Sequence, residues 1–400
     1  MTKHNTPALR FDGFDGEWET KEFGSVVTRS STASAEPALP RLEYEDIVSG
    51  VGGLNKDLSR KESLKAGLLF GPGDVLYGKL RPYLKNWLLP DFSGIAVGDF
   101  WVLQSLTADP KFLYQLIQTP MYAAVTSISS GSKMPRADWK LVSQAPTAFP
   151  PTLEEQRAIG ELFVDLDALI EQHRAKHANL QQTKTALLQR MFPQDGADEP
   201  ELRLGGFSGA WEMVSFDSLL TRVEIGTNIL GSNRYHGIPL LKMGNIRRGY
   251  FDFSSFERLP DNAELPSCSL VRTGDFLFNT RNTMELVGKG ATWMGESGAF
   301  AFNGNIARFT LERVDTKFFN YLYNHPRSIR DVSKCATGTT SVAAIYPRSL
   351  KSVQFQIPAL EEQRAIGEVF SNLDALIAAE SRYITQLTQA KTALLQRMFV

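Results

Sequence analysis

The chain has 400 residues, 42% hydrophobic and 22% charged, with a formal net charge of −1. That length allows two or three domains with their own cores, and the composition is that of an ordinary water-soluble protein. No apolar run reaches the roughly 18 residues of a membrane span, the N-terminus lacks a hydrophobic signal core, and Cys268 and Cys335 are too few for a disulfide framework or metal cluster. The expectation is a cytoplasmic chain with no membrane partner.

In chain order, the first feature is an opening of Leu9-Arg10, Gly13-Phe14, Gly16 and Trp18-Glu19. Residues 20–148 follow, with short apolar runs broken by Gly, Pro, Asn and Asp. Val75-Leu76-Tyr77 and Phe100-Trp101-Val102-Leu103 read as strands, Gly73-Asp74 as a turn, Lys111 to Gln118 as a short helix and Gly131-Ser132 as a polar loop. A helix begins at Pro150-Pro151-Thr152, where Thr152 can cap and Glu155 can reach back in a capping box. It runs to Phe192, where Pro193 stops it. Residues 193–201 are a linker.

The same plan then recurs. The opening returns at Leu202-Arg203, Gly206-Phe207, Gly209 and Trp211-Glu212, an offset of 193. Phe276-Leu277-Phe278 and Ala307-Arg308-Phe309-Thr310 read as strands, Gly274-Asp275 as a turn, Lys317 to Asn324 as a helix and Gly338-Thr339 as a loop. Residues 153–161 return letter for letter as 360–368, and 184–192 as 391–399, both at an offset of 207. The second copy is therefore fourteen residues longer between its ends, the difference between 207 and 193. Near-identical ends with divergent middles predict one scaffold holding two different readers, far longer than a solenoid period.

The two long helices carry a heptad seam. In the first it comprises Ile159, Phe163, Leu166, Ile170, His173, His177, Leu180, Lys184, Leu187 and Met191. In the second it comprises Ile366, Phe370, Leu373, Ile377, Glu380, Ile384, Leu387, Lys391, Leu394 and Met398. The second helix follows Pro358-Ala359 and so has a weaker cap. Each helix should extend about 57 Å at about 1.5 Å per residue, long enough to act as a spacer. Acids gather in the first half of each (Glu154, Glu155, Glu161, Asp165, Asp167, Glu171; Glu361, Glu362, Glu368, Asp374, Glu380) and bases in the second (Arg174, Lys176, Lys184, Arg190; Arg382, Lys391, Arg397). That suits each macrodipole and predicts antiparallel pairing within one chain, with His173 or His177 facing Glu380. Pairing of the same seams between two copies of the chain is the alternative.

Four basic and polar clusters interrupt the middles: residues 78–86, 131–136, 242–250 and 279–282. Arginine pairs bidentately with guanine, asparagine with adenine, and lysine neutralises phosphate. Each residue taken singly also reads as a solvated strand end. Catalytic signatures are missing. No GxxxxGK[ST], GxSxG or HExxH pattern occurs, and His4, His173, His177, His236 and His325 form no triad. Phe149-Pro150-Pro151-Thr152 lacks the preceding Asn or Asp of a methyltransferase motif and reads as a helix start, while Pro260-Asp261 with Asp315-Thr316-Lys317 is a weak nuclease-like match in one copy.

Two variable segments, each followed by a helix opening Leu-Glu-Glu-Gln-Arg-Ala-Ile and closing Leu-Leu-Gln-Arg-Met-Phe, resemble the specificity subunit of type I restriction–modification systems. The run Gly73-Asp74-Val75-Leu76-Tyr77-Gly78-Lys79-Leu80-Arg81-Pro82-Tyr83-Leu84 and the openings around Trp18 and Trp211 add to the likeness, which covers nearly the whole chain.

The resemblance implies an α+β protein of two mixed, strand-rich target recognition domains, separated by two long helices in an antiparallel coiled coil, with an internal pseudo-twofold duplication. Its boundaries would be 9–148 and 202–356 for the recognition domains, 149–192 and 357–400 for the spacer helices, and 193–201 for the linker. It implies a non-catalytic subunit that reads a bipartite, asymmetric double-stranded DNA site. It also implies two DNA adenine methyltransferase subunits on the helices and restriction subunits joined to these. S-adenosylmethionine and ATP then belong to the partners. The expected DNA-binding residues are Lys79, Arg81, Lys85, Ser132, Lys133, Arg136, Lys242, Asn245, Arg247, Arg248, Asn279, Arg281, Asn282, Thr339 and Thr340. Among these, Lys79 and Lys133 are expected on phosphates, and Asn245, Arg281 and Asn282 on bases. The rival readings are a stand-alone nuclease or fused methyltransferase, a coiled-coil scaffold that reads no DNA, and the specificity chain of another restriction class.

Overall fold

The apolar runs form strands buried on both faces. In a computed structural model, which describes residues 5–58, 61, 63–128 and 134–400, Val75–Gly78 and Phe100–Ser105 pair antiparallel, with Tyr77 opposite Trp101. Val75, Tyr77, Trp101 and Leu103 enter one apolar cluster, and Leu76, Phe100 and Val102 another. That alternation explains why no polar residue breaks these runs. In the second copy, Phe276–Asn279 and Ile306–Leu311 pair the same way. Phe276, Phe278, Ala307 and Phe309 face one cluster, and Leu277 and Ile306 the other.

The two copies share a sheet order. The first has Val27–Arg29, Phe100–Ser105, Val75–Gly78 and Trp87–Leu88 side by side; the second has Leu220–Ile225, Ile306–Leu311, Phe276–Asn279 and Gly290–Thr292. Each also has a smaller sheet containing a parallel pair: Gly94–Ala96 with Arg41–Leu42, and Pro239–Leu241 with Ala301–Phe302. The ends of each copy close on themselves, Glu19–Glu22 against Pro146–Phe149 and Glu212–Ser215 against Gln354–Ile357.

The chain divides into two compact units, Met1–Ala175 with Ser381–Val400, and Lys176–Glu380. The long helices, Leu153–Arg190 and Leu360–Met398, therefore each start in one unit and finish in the other. In the first unit, Ile159 and Phe163 from the start of the first helix share a core with Met398 and Phe399 from the end of the second. In the second unit, Ile366 and Phe370 share a core with Met191 and Phe192.

The pairing is antiparallel in both units. Phe163 meets Phe399 at 6.1 Å between ring centroids, Asp167 binds Lys391 at 2.7 Å, and the His173 ring lies 4.5 Å from that of Tyr383. As numbers rise on one helix they fall on the other. The second unit repeats the series at an offset of 207: Phe370 with Phe192 at 6.0 Å, Asp374 with Lys184 at 2.5 Å, and Glu380 with Lys176 at 2.6 Å. Within the second unit, Lys176 is a cation bound by Glu380. Every seam position from Ile159 to Met191 and from Ile366 to Met398 is buried or half-buried, while Glu154, Arg157, Glu161, Glu361, Arg364 and Glu368 are exposed.

The repeated block Glu-Glu-Gln-Arg-Ala-Ile-Gly-Glu is a docking device. Glu155 accepts two hydrogen bonds from Arg10, each 2.7 Å, and one from Trp18 Nε1 at 3.1 Å. Glu362 accepts two from Arg203, at 2.9 and 2.7 Å. The first opening and helix start are thus tied by a bidentate pair, and so are the second. Gln156 accepts from the backbone N–H of Asp109 and donates to Pro150; Gln363 does the same with Asp315 and Pro358. Asp109 and Asp315 in turn cap the short helices Pro110–Leu116 and Thr316–Tyr323. A Cβ at Gly160 would fall 2.7 Å from Lys111 Cβ, and one at Gly367 2.9 Å from the Phe318 nitrogen, so only glycine admits this approach. The capping-box expectation is half right. Thr152 accepts from the Glu155 N–H at 3.3 Å, but the Glu155 carboxylate is drawn away to Arg10, because a charged bidentate partner outweighs a neutral N–H. In the second copy Ala359 offers its backbone oxygen, which accepts from Gln363 N–H.

Candidate nucleic-acid interface

Each central strand runs on past the sheet into a largely half-buried segment, and the polar loop of the same unit closes against it. In the first unit, Lys79 N–H donates to Asp99 O, and Lys79 O accepts from Ala137 N–H, both at 2.9 Å. Arg81 N–H donates to Pro135 O at 2.8 Å. In the second unit, Thr280 N–H donates to Asn305 O at 3.0 Å and Thr280 O accepts from Ile345 N–H at 2.9 Å. Arg281 and Asn282 then pair with Ala344 and Ala343, and Thr337–Gly338 adds a third strand. Lys79 and Thr280 are equivalent, and two clusters distant in sequence meet in each unit.

In the first unit, Lys79 lies 3.7 Å from Asp99, and Arg136, which is 61% exposed, binds the same carboxylate at 2.8 Å. Arg81 and Lys85 both adopt left-handed backbone, with φ of 51° and 56°, flanking the turn Pro82–Leu84. Lys85 and Tyr83 are exposed, whereas Arg81 is half-buried. Ser132 and Lys133, with Gly131, lie outside the described residues. An adjoining groove was not foreseen from the sequence. It is lined by Arg29, Lys79, Met134, Arg136, Trp139 and Lys140. The Arg29 guanidinium sits 4.8 Å from the Trp139 ring centroid and 5.8 Å from that of Trp101, a stacked cation.

In the second unit, Arg281, Thr339 and Thr340 are exposed and Asn282 is half-buried. Thr339 and Thr340 sit on a hairpin tip closed by Thr339 N–H to Val342 O at 2.8 Å. Lys242 binds Glu257 at 2.5 Å, and Arg247 binds Asp252 at 2.8 Å. Hydrogen bonds from Ser254 and then from Arg247 hold the Asp252 carboxyl well below the usual range. Arg248 is half-buried and makes no ion pair among the described residues.

Two expected readers are buried and hydrogen-bonded within the fold. Asn245 is buried, accepts from Lys242 N–H at 2.9 Å and donates to the carbonyls of Asp252 and Ser255. Asp46 occupies the equivalent turn in the first unit and accepts from Glu43 N–H at 2.7 Å. Asn279 is fully buried and donates to Met243 O at 2.9 Å. A side-chain amide satisfies backbone as readily as it satisfies adenine, so residue type could not separate the two roles. The expected result for Asn245→Ala is a loss of about 2 kcal/mol of stability, because it strands buried backbone groups. Denaturant unfolding checks it; unchanged stability with altered DNA selectivity would restore Asn245 as a reader.

Among the described residues no cluster of His, Cys, Asp and Glu could hold a metal ion, and no helix is long and apolar enough to cross a membrane.

Residues 226–389 match the family described as the type I restriction modification DNA specificity domain. The chain is 24% identical over 329 residues to the type I restriction enzyme MjaVIII specificity subunit of Methanocaldococcus jannaschii, spanning 80% of this chain and 73% of that one. It is 26% identical over 150 residues to the EcoDI specificity subunit of Escherichia coli, about a third of either chain. Among solved structures, the type I restriction-modification S subunit from M. genitalium superposes with a TM-score of 0.65, covering 99% of both chains at 13% identity. A chain from a structure of a type I R-M system gives 0.53 at 21% identity, covering 96% of this chain and 97% of that one. At such identities these likenesses speak for the fold.

Proposed function

We propose that this chain is a non-catalytic specificity subunit of a type I restriction–modification system, the class of the relatives it matches, and that its two units read the two halves of a split, asymmetric duplex DNA target. The long helices fix the separation of the halves. Their outer faces carry two DNA adenine methyltransferase subunits, and restriction subunits join through these. S-adenosylmethionine and ATP bind to those partners.

One observation carries this reading. The same backbone framework presents unlike side chains at equivalent places, Lys79-Leu80-Arg81 in one unit and Thr280-Arg281-Asn282 in the other. A shared scaffold with different surface chemistry is what two different half-sites require. The near-neutral net charge fits a chain whose loops meet DNA while its helices meet protein.

The test is to map methylated adenines in cells with and without this chain, its partners present. The expected result is a bipartite motif that disappears with the chain. Arg281→Ala should relax the motif in one half only, through loss of a contact worth about 1–3 kcal/mol at one base pair. A motif that persists without the chain, or one relaxed in both halves, would refute the assignment.

A further inference from the structure

Lysine 289 is out of place in its surroundings. It lies in the segment 287–293, where Val287, Ala291 and Trp293 are core residues, yet it is itself only 9% exposed. Its backbone is pinned: Lys289 O accepts from Asn279 N–H at 2.8 Å. The glycines on either side admit no side chain, since a Cβ at Gly288 would fall 2.9 Å from Ile345 Cδ1 and one at Gly290 2.5 Å from the Phe276 ring. The ammonium makes no hydrogen bond or ion pair among the described residues. Burial, then Arg247 and Arg248, push it below the ordinary lysine range, and Glu285 opposes them. A buried cation among other cations is costly unless an anion completes it.

The surroundings supply room for one. Lys289, Arg247, Arg248, Tyr250, Asp252 and Glu285 line an open cleft in the second unit. Asp252 is already engaged by Arg247, and Glu285 is exposed. The cleft therefore has a surplus of positive charge with Lys289 as its floor. It adjoins the segment assigned above to reading bases, because Lys289 is bonded through Asn279, whose side chain reaches Met243 in the basic loop.

We propose that Lys289 and Arg248, with Arg247 beside them, clasp a backbone phosphate of the duplex and so register the second unit on its half-site. The proposal rests on the DNA-reading role and adds a sequence-independent anchor to it. Phosphate contacts of this kind position a protein on DNA without reading bases.

The experiment measures binding of the full chain, with its methyltransferase partners, to a duplex containing the mapped target and to a mixed-sequence duplex, across salt concentrations. Lys289→Met should weaken binding to both duplexes and reduce the slope of log affinity against log salt by about one. Arg248→Ala should do the same, and Lys289→Arg should keep the slope. Each phosphate of the target is then replaced in turn by a neutral methylphosphonate. One position in the second half-site should weaken the unsubstituted protein but not Lys289→Met. If Lys289→Met lowers the melting temperature, Arg248→Ala takes its place in both the salt series and the methylphosphonate series. An unchanged slope in the folded variants, or no position where the two losses coincide, overturns the clasp while leaving the DNA-reading role intact. Failure of the unsubstituted complex to bind any duplex overturns that role instead.

Discussion

Phe192→Ala should destabilise the second unit by about 4 kcal/mol, and Phe399→Ala the first unit by a similar amount. Both rings are buried, at 1% and 8% exposure. Phe192 packs on Trp211, Phe318, His325 and Phe370. Phe399 packs on Trp18, Phe112 and Phe163. Removing either ring opens a cavity where a helix that began in the other unit ends. For units near 200 residues the loss corresponds to roughly 10 °C in the transition of the affected unit. Calorimetry locates the shift, and hydrogen exchange assigns it to a unit. The outcome that would contradict this packing is loss of protection in the first unit on Phe192→Ala with the second unit unaffected.

Arg10→Ala should destabilise the first unit by about 3–5 kcal/mol, because it leaves a buried carboxylate without its cation. Glu155 is 1% exposed and would keep only the Trp18 indole N–H among its three side-chain donors. Glu155→Gln should cost less. It removes the charge but still accepts from one donor, and Arg10, being nearer the surface, can find water. Arg203→Ala should repeat the effect in the second unit, where Glu362 is the buried partner. Urea unfolding of the four proteins ranks these costs. Equal stabilities for Arg10→Ala and the unaltered chain would show that the pair only decorates a junction held by Gln156 and Gly160.

These two predictions rest on repeats that the sequence displayed but could not interpret. Leu-Arg near the start of each copy and Glu-Glu-Gln-Arg at each helix start are visible as echoes, and 145 residues separate Arg10 from Glu155. Only the folded chain shows that they bind each other, since ion pairing leaves no periodic trace. Met-Phe at the close of each long helix reads as the end of a heptad seam. Its burial in the core of the unit the helix runs into depends on where the helix ends, which the seam alone does not give.

The surface position of the candidate site was legible in part. Lys79, Lys85, Arg136, Arg281, Thr339 and Thr340 are surface or near-surface residues, on segments brought together by the fold. Asn245, Asn279 and Lys289 are buried, which the sequence did not foretell. Glycine-flanked asparagine suits a base contact and a turn cap equally. A lysine between two glycines in an apolar run carries no local sign that its charge lies in a basic cleft.

The sequence by itself determined the duplication, the two long helices, their seam and their antiparallel sense, because periodicity and charge order are properties of a line of residues. It also excluded the nucleotide and metal motifs whose signatures depend on short spacings. The tertiary structure decided which halves of the helices belong to which unit, which polar residues are structural, and where like charges converge. Those depend on contacts between residues far apart in the chain, and burial, which turns a lysine into an anion site or an asparagine into a cap, exists only after the chain has folded.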